Sequence, residues 1–562
     1  MEYISTDVLV IGSGIAGLRA AIEARLRGVD VLLVTKTRLF SSASTMAEGG
    51  INAALCNVDR DDSWEKHFED TVRGGAFLND QDLVEVLVKE VIDRVYELEE
   101  WGAIFSRLDN GLIAQRAFGK QSRRRTCYAS DRTGHEIVTT LLEVALDLGI
   151  EMLEYHYASK ILVSSDRVAG AIIWNVRGWE PIVVRAKAVV LATGGASQIY
   201  EITTTPAEAT GDGMVLALDA GAILKDMEMV QFHPTGLAWP EAARGQLVTE
   251  AVRAEGGILL NALGERFMSR YAPDEMELAG RDVVARAIWR EVVEGRGTEH
   301  GGVYLDITHI PCERVRERLE STYRFLLQLG VDMCRDRIEV IPTAHYFMGG
   351  VRIDVNAATD VKGLYAAGEV ASGVHGANRL GGNSLADALV FGRRAGASAA
   401  SYARSVGYAS IDTNAVRLEI ERVENLFRWR EGYSISYTNI RKRLRETMWR
   451  YVALVRRGEG LSKALSEIEY MKRELLPRLA VNDGKHFSLA ALRTLECMNM
   501  VRVAEVVVRS ALIRTESRGA HYREDYPHTQ SEWLKHILFK LDRGALIHFF
   551  EPVKITRINP PR

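Results

Sequence analysis

A glycine turn between a strand and a helix constrains this chain more than any other stretch. Asp7 to Ile11 reads as a buried strand, Gly12-Ser-Gly14-Ile-Ala-Gly17 as the turn, and Leu18, Ile22 and Leu26 as one face of a helix. Gly28 ends that helix, and Val31-Leu-Leu-Val34 resumes as a strand. Gly12, Gly14 and Gly17 allow the tight turn and let a pyrophosphate lie on the helix N-terminus, where free N–H groups and the dipole favour anions. This predicts a dinucleotide fold. About twenty residues on, an NAD site would carry an acid for the adenosine ribose, but Thr35-Lys36 stands there instead. Two later strand-turns, Ala188 to Gly195 and Gly363 to Glu369, return to the same cofactor, which a simple NAD domain would not need.

The loop from His375 to Leu385, HGANRLGGNSL, sets an arginine, two asparagines and a serine among glycines. Glu369, at the end of the preceding strand, suits a ribityl or ribose hydroxyl, and Arg379 has the fork geometry to hold a carboxylate. The plainer alternative is a glycine-rich surface loop with a solvated arginine.

At 562 residues the chain has room for roughly three or four domains, and 47% hydrophobic with 26% charged is ordinary for a globular protein. A net charge of -4 gives no reason to expect nucleic acid as a partner, although Arg123, Arg124 and Arg125 form a dense basic run. Cys56, Cys127, Cys312, Cys334 and Cys497 stand far apart with no CxxC pair, so no metal or iron–sulfur site has its usual spacing. Their scatter predicts reduced thiols, with one distant disulfide left open. No leader precedes the first strand and no apolar run reaches about 18 residues, which predicts a soluble protein on the cytoplasmic side.

Between Pro234 and Thr343 the chain leaves the dinucleotide pattern for a mixed stretch that reads as an inserted lid. After about residue 411 helices dominate: Val416, Ile420, Val423 and Phe427 mark one apolar face, and Ile440, Leu444, Met448, Tyr451 and Val455 another.

In order along the chain stand GSGIAG (12–17), MAEGG (46–50), QRAFG (115–119), DRTGH (131–135), TGDG (210–213), QFHPTG (231–236), TEAVRAEGG (249–257), HYFMGG (345–350), HGANRLGGNSL and ESRGAHYREDYP (516–527). With these motifs the chain resembles, over nearly its whole length, the flavoprotein subunit of the succinate dehydrogenase and fumarate reductase family, whose relatives include L-aspartate oxidase. The resemblance implies an α/β fold: a Rossmann-like FAD-binding domain at 1–235 and 346–410, an inserted α+β capping domain at 236–345, a helical domain at 411–520 and a C-terminal segment at 521–562. It places Thr35, Lys36, Ser44, Thr45, Gly49, Gly50, Asp212, Glu369, Ser384 and Leu385 at the FAD, beside Gly12, Gly14 and Gly17.

His233 and His345 fall at the two crossings between FAD domain and cap, where a dicarboxylate would be trapped. Burying fumarate or succinate unpaired would cost several kcal/mol per charge, so cationic or hydrogen-bonding partners are required. By resemblance Arg379, His233, Thr249 and His345 bind the carboxylates, the flavin N5 exchanges hydride with one carbon, and Arg281 serves the proton on the other. Glu250 and Arg253 form the relay to solvent. An arginine acid is unusual, because a guanidinium is almost never deprotonated in proteins. The alternative is that Arg281 only clamps substrate while Glu250 and Arg253 make a structural ion pair.

Two departures shape the expected activity. Register from Thr35 to Gly50 puts Ala43 where many succinate dehydrogenases carry the histidine that links FAD, so noncovalent FAD and a tilt toward fumarate reduction are expected. L-Aspartate oxidases also lack the link, but they carry a glutamate for the substrate ammonium where this chain has Phe118, an apolar ring. A third reading, a non-catalytic FAD electron-transfer subunit, is disfavoured by the retained histidines, Arg281 and Arg379. With no cluster ligands of its own, the chain is expected to dock an iron–sulfur subunit, with a membrane anchor behind it, on the cytoplasmic face.

Overall fold

The computed structural model describes residues 2–561 and shows a mixed α/β protein built on a seven-stranded sheet. Strands Glu151–Glu154, Val31–Thr35, Glu2–Ile11 and Glu180–Leu191 run parallel side by side, with Val8 opposite Val31 on one edge and Ala188 on the other. Such strands are covered on both faces, which is why Val31–Thr35 is buried at every position. The far edge of Glu180–Leu191 is divided. Its first half pairs antiparallel with Arg167–Asn175, and Val189 to Leu191 pair parallel with the returning strand Leu364–Ala366. That division brings Glu369 back beside the first glycine turn.

The helix Ile15–Leu26 packs on the 23-residue helix Asn383–Ser405. The crossing is close because the second helix has no side chain at Gly392 and Gly396, where a Cβ would lie 2.6 Å from the Ala16 carbonyl oxygen and 2.2 Å from that of Ala20.

The inserted segment has its own antiparallel sheet, ordered Val230–Leu237, Ile338–Phe347, Val303–Asp306, Ile258–Leu260, and its own core around Leu259, Phe267, Ile288 and Leu305. The strands by which the chain enters and leaves this unit pair with each other, Val230 opposite Phe347 and His233 opposite Thr343. Two histidines more than a hundred residues apart therefore meet.

The apolar faces expected after residue 411 lie on the helices Thr413–Glu424 and Tyr437–Val452, which bury Val416 and Val423, and Ile440, Leu444 and Met448. Beyond them the helix Leu489–Ile513 is buried along most of its length. The last segment is not helical: strands Lys535–Asp542 and Ala545–Pro552 form a hairpin that pairs with Leu224–Lys225.

Two expectations change. Cys312 and Cys334 form a disulfide, their Cα atoms 5.4 Å apart, whereas Cys56, Cys127 and Cys497 are free. Sequence separation hid the pair, because two short cap helices fold back between them. The basic run is neutralised within the fold: Arg123 pairs with Asp61, Arg124 with Asp59, and the fully buried Arg125 with Asp62 and Asp70. Among the described residues no helix is long and apolar enough to cross a membrane.

Arg514 ties the C-terminal segment to the rest of the fold, donating to the Trp533 and Lys535 carbonyl oxygens at 3.1 and 3.0 Å. It is wholly buried, with Nε 2.5 Å from Glu228 and its terminal nitrogens on Glu516 (3.2 Å) and Asp226 (3.3 Å). Arg514→Met leaves the buried Glu228 without its cation, while Glu516 keeps Arg518 and Asp226 keeps His536; it is expected to cost about 3–5 kcal/mol, read as a lower denaturant midpoint at unchanged slope. An unmoved midpoint would show that this network does not anchor the segment.

Candidate cofactor cleft and active site

The cleft opens at the carboxyl ends of the parallel strands, where α/β sheets bind ligands. Gly12 has a φ of +113°, and a Cβ there would lie 2.2 Å from the Ala192 carbonyl oxygen. Gly17 approaches the same turn so closely that its Cβ would sit 1.9 Å from the Gly12 oxygen. Both contacts press the helix N-terminus against the sheet and leave its N–H groups facing the cleft. Two adjoining cavities share Ala43, Ser44, Glu369 and Ala388.

Gly12, Gly14, Thr35, Lys36 and Asp212 line the first cavity, Ser384 and Leu385 the second, and Ser44 and Glu369 both. Gly17, Thr45, Gly49 and Gly50 stand behind the walls: Thr45 shares a hydroxyl contact with Ser42, and Gly49 packs on Phe118. The Lys36 ammonium is committed to Asp212 (2.6 Å), Glu496 (2.7 Å) and Thr210 (2.9 Å). Burial works against its charge, but the two carboxylates outweigh it and hold Lys36 above its ordinary value. Asn499 also donates to Asp212 (2.8 Å).

The cleft fits a dinucleotide. Besides the glycine turn, Thr193 lines it with a buried hydroxyl that has no partner. Gly195 leaves room for Glu369, whose Oε1 would be 2.1 Å from a Cβ at that glycine and accepts from the Phe347 N–H at 3.0 Å. Burial pushes Glu369 up to about 7.

His345 lines the second cavity, and His233 lies beside it. The His233 and His345 rings lie 5.2 Å apart, and both histidines are held well below their ordinary value by burial and by Arg281, so both are neutral. The Thr235 N–H donates to His233 Nδ1 at 3.2 Å, which leaves the proton on Nε2, and the Thr204 hydroxyl pairs with His345 Nδ1 at 2.7 Å. Thr249 caps the short helix Glu250–Ala254 by accepting from the Ala251 N–H, which leaves its hydroxyl proton to donate.

Arg281 and Arg379 approach each other through one acceptor. The side-chain oxygen of Gln231 takes an N–H from each at 3.1 Å, while its amide nitrogen donates to Asn378 and to the Arg379 carbonyl, both at 2.7 Å. Arg379 lies 4.6 Å from the Tyr346 ring centre and has a buried Nε without a partner. Burial, then Arg281, push Arg379 down to about 9. Glu250 accepts from Arg281 Nε and from the Gly119 N–H, both at 2.9 Å, with Arg253 3.8 Å away. Although burial opposes its charge, Arg281 and Arg253 hold Glu250 down at about 2. A small cavity lined by Glu250, Arg281 and Gly119 reaches the exposed Lys120. Phe118 is buried against Gly381, whose Cβ would lie 2.6 Å from its ring and 3.3 Å from an Arg281 nitrogen.

Sequence reasoning missed Gln231, Glu496 and Asn499. Gln231 was visible as the first residue of QFHPTG; Glu496 and Asn499 carried only the weak signal of polar residues in an apolar helix.

The description "FAD binding domain" matches residues 7–385, and "Fumarate reductase flavoprotein C-term" matches residues 441–562. One subunit of the fumarate reductase (CoM/CoB) of Methanothermobacter marburgensis is 51% identical, covering 96% of this chain and 97% of its own. A succinate dehydrogenase flavoprotein subunit of Rickettsia felis is 39% identical, covering 98% of this chain and 96% of its own. A structure of E. coli quinol fumarate reductase superposes with a TM-score of 0.95 at 36% identity, covering 100% of this chain and 99% of that one. With its FAD-binding domain, its cap and both crossing histidines in place, the chain belongs to the succinate dehydrogenase and fumarate reductase flavoproteins, a family of oxidoreductases.

Proposed function

We propose that this chain interconverts succinate and fumarate on noncovalent FAD and works toward fumarate reduction. The observation that carries this reading is the charge of the site. Arg281 and Arg253 lie against the ionised carboxylate of Glu250, and Arg379 joins Arg281 through Gln231, beside two neutral imidazoles. That excess of positive charge suits a dicarboxylate, whose own burial would otherwise be prohibitive.

Bound FAD would supply two-electron hydride chemistry at the flavin N5. Arg379, His233, His345 and Thr249 hold the two carboxylates and fix the reacting carbons. Arg281 delivers the proton to the carbon that does not receive hydride. Glu250, 2.9 Å from Arg281 Nε, is placed to return a proton to that nitrogen, with Arg253 behind it. Gln231 keeps Arg281 and Arg379 at a fixed separation, so one can release a proton while the other clamps.

Ala43 supports noncovalent FAD, since it lines both cavities and its methyl group cannot bond the flavin. In the family the missing link favours fumarate reduction, and the 51% identical relative is named for that direction. L-Aspartate fits less well: its ammonium would enter a site already rich in guanidiniums, and Phe118 offers it no partner. Both relatives are named as subunits of larger enzymes, which supports assembly with other chains. An iron–sulfur subunit would supply the one-electron carriers, and a membrane anchor would hold the assembly peripherally on the cytoplasmic face.

Anaerobic addition of succinate to the FAD-loaded chain should bleach the flavin band, and L-aspartate should not; bleaching by L-aspartate alone would replace this reading with an aspartate oxidase. In the same assay Arg281→Gln should keep its FAD and lose roughly 100-fold to 10,000-fold in rate. Gln231→Leu removes the shared acceptor and should raise KM for fumarate by about tenfold, with FAD retained. Acid precipitation should release the flavin into solution, and yellow left on the denatured chain would rule out noncovalent attachment.

A further inference from the structure

The disulfide lies in the part of the cap that touches the cofactor cavity. Between Cys312 and Cys334 the chain makes two short helices, Cys312–Arg318 and Glu320–Gln328, whose inner face adds Val315, Leu319, Tyr323 and Leu326 to the cap core. This helical hairpin does two things at the mouth of the site. Phe325 lines the cavity that also holds His345 and Glu369. The first turn of the second helix docks on the FAD-binding unit, where the buried Asp131 accepts from the Ser321 N–H (2.9 Å), the Ser321 hydroxyl (2.6 Å) and the Thr322 N–H (3.2 Å). Asp131 thus caps a helix belonging to the other unit, and this latch joins the contacts that Glu250 makes with Gly119 and Asp282 with Asn378. Both disulfide cysteines are partly exposed, whereas Cys127 and Cys497 are buried with thiols that burial raises.

We propose that the Cys312–Cys334 disulfide is a thiol-exchange site through which a small dithiol loosens the cap over the active site. A thiolate of the dithiol attacks one sulfur and displaces the other as a thiolate; its second thiol then resolves the mixed disulfide. Two protein thiols and one oxidised dithiol result, with two electrons and two protons passed to the protein. The cross-link restricts the hairpin to few conformations. Cutting it frees the segment that carries Ser321, Thr322 and Phe325, so the Asp131 latch opens more often.

Dithiothreitol serves as the dithiol, applied to the FAD-loaded full chain. Maleimide labelling after denaturation should modify the three free cysteines before reduction and all five after it. Trypsin cleavage at the exposed Arg314, Arg318, Arg324 and Arg335 should accelerate at least about tenfold on reduction. KM for fumarate should rise about threefold, with kcat less affected. Cys312→Ser/Cys334→Ser should match the reduced protein in cleavage and KM and ignore dithiothreitol. Five labelled cysteines without reduction, or an unchanged cleavage rate, would overturn the exchange site; faster cleavage with an unchanged KM would overturn its link to the active site. The KM arm rests on the proposed reaction, but labelling and cleavage do not, so the two readings fail separately.

Discussion

Two buried guanidiniums sharing a single amide oxygen set the terms for the rest of this site. Arg281 and Arg379 each sit 3.1 Å from the Gln231 oxygen, and a neutral acceptor softens their repulsion without cancelling it. Burial, reinforced by the remaining positive potential, keeps His233 and His345 neutral, and against burial Arg281 and Arg253 keep Glu250 ionised. Positive charges buried so close together are costly, and the fold must hold them in place. That hold comes from the cap sheet, the Asn378 and Gly119 contacts, and the helix that begins at Arg281.

The cap sheet matters because of which strands it pairs. An insertion could leave and rejoin a sheet at unrelated points, but here the leaving and returning strands are neighbours. The pairing brings both histidines together, His233 opposite Thr343 and His345 at the register shift between the Gln231–Tyr346 and Phe232–Ala344 pairs, while Thr249, Glu250 and Arg281 arrive from inside the insertion. The candidate active site therefore draws on both units, with Arg379 contributed by the loop beyond the second crossing. A small rotation of one unit on the other changes every distance in it.

Much of this was legible in the chain. The first glycine turn, Glu369 and Arg379 are each announced by local pattern, because glycine turns and strand ends have short-range chemistry, whereas the two crossing histidines stood out through the family resemblance. What escaped depends on distant partners. Lys36 meets a glutamate of the last long helix, the Arg123 to Arg125 run meets aspartates sixty residues earlier, and Cys312 meets Cys334 only after two helices fold between them. The C-terminal hairpin was silent for the same reason: its strand Ala545–Pro552 is largely exposed, so it lacks the strong apolar alternation of a core strand.

The divided edge of Glu180–Leu191 also orders events in time. The segment that pairs with Val189 to Leu191 is separated from it in sequence by the entire cap. During synthesis the first glycine turn is made long before the strand that carries Glu369 exists, so the cleft stays open on one side until the insertion has been bypassed. Cofactor loading is consequently a late event, and a chain interrupted within the cap would have its phosphate cradle but no wall to close it.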